Sequence, residues 1–132
     1  ENPLTVWGDG SPIRDFIHAE DVADGMMLAV EKGINLPINL GSGTGVTIRE
    51  IAEIVASSIP GKSIELKWDV SKPSGDKKRL MDMTRAKSFG FEPKVSIQKG
   101  IQETIKWFAE NNGIDFGRYN AFTEAAHKPQ NK

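Results

Sequence analysis

Apolar positions recur along this chain at two spacings, and the changes between them mark out its elements. Leu4-Thr5-Val6-Trp7 is a β-branched and aromatic run that stops at Gly8, which predicts a short strand. From Glu20 the period becomes helical. Val22, Met26 and Val30 form one stripe with Ala23 and Met27 beside it, Glu20 and Asp21 lie in the first turn where the helix dipole favours negative charge, and Lys32-Gly33 closes the helix. At this spacing the methionines read as core rather than as the lining of a ligand groove. Pro37-Ile38-Asn39-Leu40 predicts a second strand. Thr47 and Glu50 then make a capping box for a helix with Ile48, Ile51, Ala52, Val55 and Ile59 on its apolar face. Pro60-Gly61 breaks that helix, and Ser63 to Trp68 alternates as a half-buried strand does. Thr84 to Phe91 predicts a short helix closed by Gly90. Ile97, Ile101, Ile105 and Phe108, supported by Trp107, mark a long amphipathic one. The sum is an α/β domain over residues 1–112, with three or four short strands and three main helices. Residues 113–132 lose the period and are expected to be a tail, partly disordered or used for interaction. Phe116, Tyr119 and Phe122 would pack there on the core or on another chain.

Composition narrows the classes of function. A chain of 132 residues supports one core and not two. The formal net charge of −1 provides no global field for nucleic acid or an anionic membrane, so any anion site must be local. Cysteine is absent from the sequence, which removes disulfides and thiolate metal sites and fits a reducing, cytoplasmic setting. No apolar run approaches the roughly 20 residues of a membrane span. Glu1-Asn2-Pro3 does not begin a signal peptide, and with no initiator methionine the sequence is expected to be a fragment or a processed product.

The candidate chemistry lies between Gly8 and Asp21 and again between Ser71 and Asp82. Gly8, Gly10 and Pro12 force a tight turn whose backbone can approach a ligand closely. Arg14 follows, and its planar fork of donors suits a diphosphate better than the point charge of lysine does. Trp7, just before the turn, is either a core anchor or a flat surface on which a purine could lie. In the second segment Lys77 and Lys78 read as solvated, whereas Lys72 is held extended by Pro73. Arg79 either adds a contact to the same anion or pairs with Asp82. The glycines of Gly41-Ser42-Gly43-Thr44-Gly45 are spaced G-x-G-x-G and not G-x-G-x-x-G, so this loop reads as a structural turn rather than a pyrophosphate cradle. Asp15 is expected to order its turn and Asp21 to start the helix. His18, placed on a Phe16-Ile17 strand, reads as a hydrogen-bonded structural histidine. His18 and His127 lack metal-ligand spacing, and Ser42 and Ser74 have no adjacent base.

Gly8-Asp9-Gly10, Arg14-Asp15-Phe16-Ile17-His18 and Asp21-Val22-Ala23 together resemble the extended short-chain dehydrogenases, the NAD-dependent nucleotide-sugar epimerases, dehydratases and reductases. The GDP-L-fucose synthases are nearest in look, because Trp7 precedes the turn and Lys72-Pro73-Ser74-Gly75 follows downstream. Phe89-Gly90-Phe91-Glu92-Pro93 matches the family's step before its last helix, and the likeness runs from Leu4 to Asn111. It implies the C-terminal, substrate-binding lobe of such an enzyme, without the N-terminal Rossmann half. It also implies a nucleotide sugar, a nucleoside diphosphate hexose, as ligand. Arg14 and Lys72 would clamp the diphosphate, Trp7 would border the base, Asp76 would meet the ribose and Arg79 would add a contact. The family's G-x-x-G-x-x-G loop and Y-x-x-x-K pair are missing: the single tyrosine is Tyr119, and four residues later stands Thr123. Without that lysine a phenol with a pKa near 10 is a poor base at neutrality. No catalytic residue and no cofactor are therefore expected in this chain, and NAD(P) would belong to the full-length parent. The alternative is an independently folded, non-catalytic, self-associating module. A lobe removed from its other half exposes apolar surface, with the methionine-bearing helix and the aromatic tail as the candidates.

Overall fold

A computed structural model describes residues 2–111 of the chain. In order they form β1 (Leu4–Trp7), β2 (Ile13–Asp15), α1 (Ala19–Glu31), β3 (Gly45–Thr47), α2 (Ile48–Ser58), β4 (Leu66–Asp69), β5 (Lys78–Arg79), α3 (Thr84–Ser88) and α4 (Ile97–Asn111). This is the mixed α/β class with short strands that the sequence implies. Two small sheets result. In one, β1 runs parallel to β4, with Leu4 opposite Leu66 and Trp7 opposite Asp69. In the other, β2 lies between antiparallel β3 and parallel β5, with Arg14 opposite Val46 on one side and Arg79 on the other.

The helices form for the local reasons read from the sequence. At the start of α2 the Thr47 hydroxyl accepts from the Glu50 amide at 3.1 Å, and the Glu50 carboxylate accepts from the Thr47 amide at 2.7 Å. Ala52 and Ala56 are the buried positions of α2, which packs on α4. Gly33 follows α1 and Gly90 follows α3, both with positive φ. The main core is Met83, Ala86 and Phe91, with Ile17, Leu28, Leu40 and Phe89 packed around it.

Three expectations are corrected. The strand expected at Phe16-Ile17 lies earlier, at Ile13–Asp15, because its ladder partners are Gly45–Thr47 and Lys78–Arg79. His18 instead sits at the N-cap of α1, where its Nδ1 accepts from the Glu20 amide at 3.4 Å. Pro37–Leu40 forms no strand and joins no ladder among the described residues. Finally, α1 does not bury its methionine stripe. Met26, Met27 and Val30 are 60%, 61% and 75% exposed, and the buried line is Asp21 and Gly25, with Leu28 half-buried. Gly25 is the physical reason: a Cβ there would lie 2.8 Å from both Leu40 and Phe91, so only the bare backbone lets the helix approach on that side. Asp21, 2% exposed, does more than start the helix. Its carboxylate accepts from the amides of Lys94 at 2.8 Å and Val95 at 3.0 Å and so anchors the segment leading into α4.

Candidate functional site

The turn after β1 is stitched to its surroundings through backbone atoms. Gly8 and Gly10 have φ of +82° and +80°, which side chains other than glycine rarely adopt. Asp9 accepts from the amide and hydroxyl of Ser11 at 2.9 and 2.8 Å, and these bonds hold its carboxyl below the usual value. The amides of Ile48 and Arg49 donate back to Pro12 and Gly10, both at 3.0 Å. Arg49 closes the arrangement: its Nη2 donates to the Asp9 carbonyl at 2.6 Å, while its guanidinium lies 4.3 Å from the centre of the Trp68 ring. Trp68 in turn lies under Gly10, where a Cβ would meet the ring at 2.7 Å.

Against this turn lies the segment Lys72–Arg79. Gly8 abuts Ser74, and a Cβ on Gly8 would come within 2.6 Å of the serine hydroxyl. Arg14 reaches across from β2, its Nη1 donating to the Asp76 carbonyl at 2.7 Å and to its neighbour Ile13 at 2.9 Å. Both bonds use Nη1, so they do not consume the other donors of the fork. Gly75 has φ of +74° and lies beside the same guanidinium, where a Cβ would stand 3.4 Å from Nη2. The Lys72 ammonium lies 5.9 Å from the centre of the Trp7 ring, within cation–π range, and Trp7 is 65% exposed. Arg79 stands opposite Arg14 in the β2–β5 register and forms an ion pair with Asp76, not with Asp82. The Asp82 carboxylate is held instead by Thr84, accepting from its amide at 2.9 Å and its hydroxyl at 2.6 Å. Trp7, Arg14, Lys72, Asp76 and Arg79 thus all border one exposed loop. With Lys77 and Lys78 the loop carries four cations, and Arg14 beside it makes a fifth, against the one carboxylate of Asp76, in a chain of net charge −1. Such a surface offers donors and an aromatic plate to an anionic, flat ligand. The three cavities described, of about 250, 320 and 290 Å³, lie elsewhere, around Phe16, α4 and the Gly90 turn.

The second glycine loop is filled from within. The Asp15 carboxylate accepts from the Ser42 amide and hydroxyl at 2.7 and 2.6 Å, the Gly43 amide at 3.2 Å and the Met81 amide at 3.3 Å. Burial pushes that carboxyl up, but the bonds from Ser42, Met81 and Gly43 outweigh it and hold the group below its ordinary value. The neighbouring donors are also engaged, Gly41 with the Met83 sulfur and Thr44 with the Ser42 hydroxyl. A dinucleotide's diphosphate would need those amides, so this loop is not a cradle for one. No group of three or more His, Asp or Glu able to hold a metal ion occurs among the described residues. His18 faces Glu103, with Nε2 3.8 Å from the carboxylate, and packs over Gly100.

Sequence reasoning missed Arg49, Trp68 and the filling of the loop by Asp15. A signal existed for Arg49: a cation in the first turn of a helix opposes the dipole and calls for a partner elsewhere. Tyr119, Thr123, Phe116, Phe122 and His127 lie outside the described residues.

Residues 1–104 match the family model described as GDP-mannose 4,6 dehydratase. The chain is 42% identical over 109 residues to "Probable GDP-L-fucose synthase 1" of Oryza sativa subsp. japonica, covering 82% of this chain and 33% of that protein. It is 33% identical over 118 residues to the GDP-L-fucose synthase of Escherichia coli K12, covering 82% of this chain and 36% of that one. Among solved structures, a GDP-6-OMe-4-keto-L-xylo-heptose reductase from C. jejuni matches with a TM-score of 0.73 at 30% identity, over 84% of this chain and 35% of its own. The UDP-glucose 4-epimerase of Thermotoga maritima, solved with UDP-glucose, matches with a TM-score of 0.68 at 32% identity, over 83% and 35%. The chain therefore spans about a third of the length of its relatives, a C-terminal portion of them.

Proposed function

Because the chain belongs to the GDP-mannose 4,6-dehydratase-like family of nucleotide-sugar epimerases, dehydratases and reductases, we propose that it forms the nucleotide-sugar-binding part of such an enzyme. One observation carries the reading: the bond from Arg14 to the Asp76 carbonyl ties β2 to the Lys72–Arg79 loop, so that cations far apart in sequence share one exposed edge. Arg14 and Lys72 take the diphosphate, and Arg79, beside Arg14, adds a contact. The indole of Trp7 is open to a base, with Lys72 at its margin. Asp76 meets the ribose hydroxyls. Its pair with Arg79 is solvent-exposed and worth under about 1 kcal/mol, so a diol can replace it at little cost. NAD(P), in the parent enzyme, supplies the redox chemistry at a hexose carbon.

The test is calorimetric titration of the full chain with GDP and with a GDP-hexose, repeated on Arg14→Ala. Weak binding that falls tenfold or more in the variant supports the assignment. Equal heats from both proteins overturn it.

A further inference from the structure

Trp7 and Lys72 reach the same exposed edge from different strands, and one residue stands between them. Trp7 ends β1 and lies opposite Asp69, the last residue of β4, in the parallel ladder. The Asp69 carbonyl accepts from two amides at once, that of Gly8 at 2.9 Å and that of Lys72 at 3.2 Å. A carbonyl oxygen has two lone pairs, so both bonds are available together. The first fixes where the chain leaves Trp7, and the second closes a turn over residues 69–72 that opens the cation-rich loop. The aromatic plate and the cation beside it are thus hung from one oxygen.

The Asp69 side chain shapes that turn. Its Oδ1 accepts from the Ser71 amide at 3.1 Å and from the Ser71 hydroxyl at 2.6 Å, the local bonding by which an aspartate at the head of a turn fixes the residues after it. Pro73 restricts the Lys72 backbone from the other side. Lys72 itself is exposed and its stem is flexible, so the place of its ammonium depends on the direction in which the backbone launches it. That direction brings Nζ to 5.9 Å from the centre of the Trp7 ring. A carboxylate close to a diphosphate repels it, so the charge of Asp69 does not recommend the residue here. Its acceptor geometry does.

We infer that Asp69 is a positioning residue for the nucleotide-sugar site: through its bonds to Ser71 it sets the turn that carries Lys72 to the rim of Trp7, and it acts through Lys72 rather than on the ligand. The inference rests on the nucleotide-sugar reading for its purpose. The link from Asp69 to Lys72 can be measured without ligand, so the two fail separately.

The test compares the full chain with Asp69→Ala, Asp69→Asn, Lys72→Ala and the double variant Asp69→Ala/Lys72→Ala. Without ligand, proton NMR reads the ring-current shift that Trp7 imposes on the Lys72 methylenes, with Trp7→Ala as the reference in which it is gone. Hydrogen exchange reads the Ser71 and Lys72 amides. Calorimetry with GDP reads affinity. Asp69→Ala is expected to lose the shift, to speed exchange at both amides about tenfold, and to weaken GDP binding several-fold, by no more than Lys72→Ala does. Asp69→Asn should keep all three within about twofold, because its amide oxygen accepts the same bonds. The double variant should bind as Lys72→Ala does, the non-additivity of residues that act as a unit. Ser71→Ala, a milder change at an exposed position, should move each readout in the same direction by less. An Asp69→Ala chain that keeps the shift and the affinity overturns the inference. So do losses that add in the double variant, which mark a general structural effect, and an Asp69→Asn chain that behaves as Asp69→Ala does. A parent chain that takes up no GDP overturns the nucleotide-sugar reading and this role with it; a parent that binds GDP no better than Asp69→Ala does overturns the role alone.

Discussion

The chain contains two glycine-rich turns that look alike in sequence and are used in opposite ways. Gly41–Gly45 encloses an anion that the protein supplies itself, the carboxylate of Asp15, and its donors are spent on holding the chain together. Gly8–Gly10 encloses no side chain. It closes against Ser74 and Trp68 and leaves Trp7 and Arg14 flanking a cation-rich edge. A glycine turn whose amides already face a carboxylate is structural; one whose neighbours are unneutralised cations is open to a ligand. The difference lies in what stands three-dimensionally opposite each turn, not in the glycines.

The contrast can be tested from its strongest side first. Asp15→Ala strands the amides of Ser42, Gly43 and Met81, and is expected to destabilise the chain by about 2–4 kcal/mol in urea unfolding. Added acetate should recover part of that loss by occupying the emptied loop, whereas the parent chain should not respond. Gly8→Ala, at positive φ and against Ser74, should cost about 1–2 kcal/mol by the same measurement. Lys72→Ala should lower affinity for GDP several-fold while moving the unfolding midpoint by less than about 0.5 kcal/mol, the behaviour of a residue that faces a ligand and not the core. Arg79→Ala should change stability least, by no more than about 0.5 kcal/mol, because its pair with Asp76 is solvent-exposed.

Acid sharpens the same comparison. The Asp15 carboxyl is depressed in the folded chain below its ordinary value of 3.8, so the unfolded chain binds the proton more readily. Its contribution is present in full above that value and is lost as pH falls through the lower, folded one. Unfolding free energy measured between pH 6 and pH 2 should therefore drop on the acid side, and Asp15→Asn should flatten that part of the drop.

What the sequence made legible was whatever a segment decides for itself. The capping box of α2, the apolar period of α4 and the glycine stops after α1 and α3 are local, and each stands where the residues place it. The two-residue β5 and three-residue β3 exist only through β2, and neither has a pattern long enough to read. Pro37–Leu40 and the methionine stripe went the other way. Their composition is that of buried elements, but among the described residues Pro37–Leu40 joins no ladder and the methionine stripe stays exposed. In the candidate site the glycines and Arg14 stood out from their types alone. The bond from Arg14 to Asp76, 62 residues away, and the Arg49–Trp68 stack depend on the fold and leave no trace in spacing.

Arg14 and Asp15 are neighbours on β2, and alternation along a strand sends them to opposite faces, the guanidinium toward the Lys72–Arg79 loop and the carboxylate into the Gly41 loop. A slip of the strand by one residue would exchange the faces they point to, turning the positive charge toward the side of the inward-pointing amides and the negative charge toward the side of the Lys72–Arg79 loop. Both errors are electrostatically penalised at once, so two adjacent opposite charges act as a proofreading device for the alignment of β2, and any homologue that neutralises either one should show a less certain strand register.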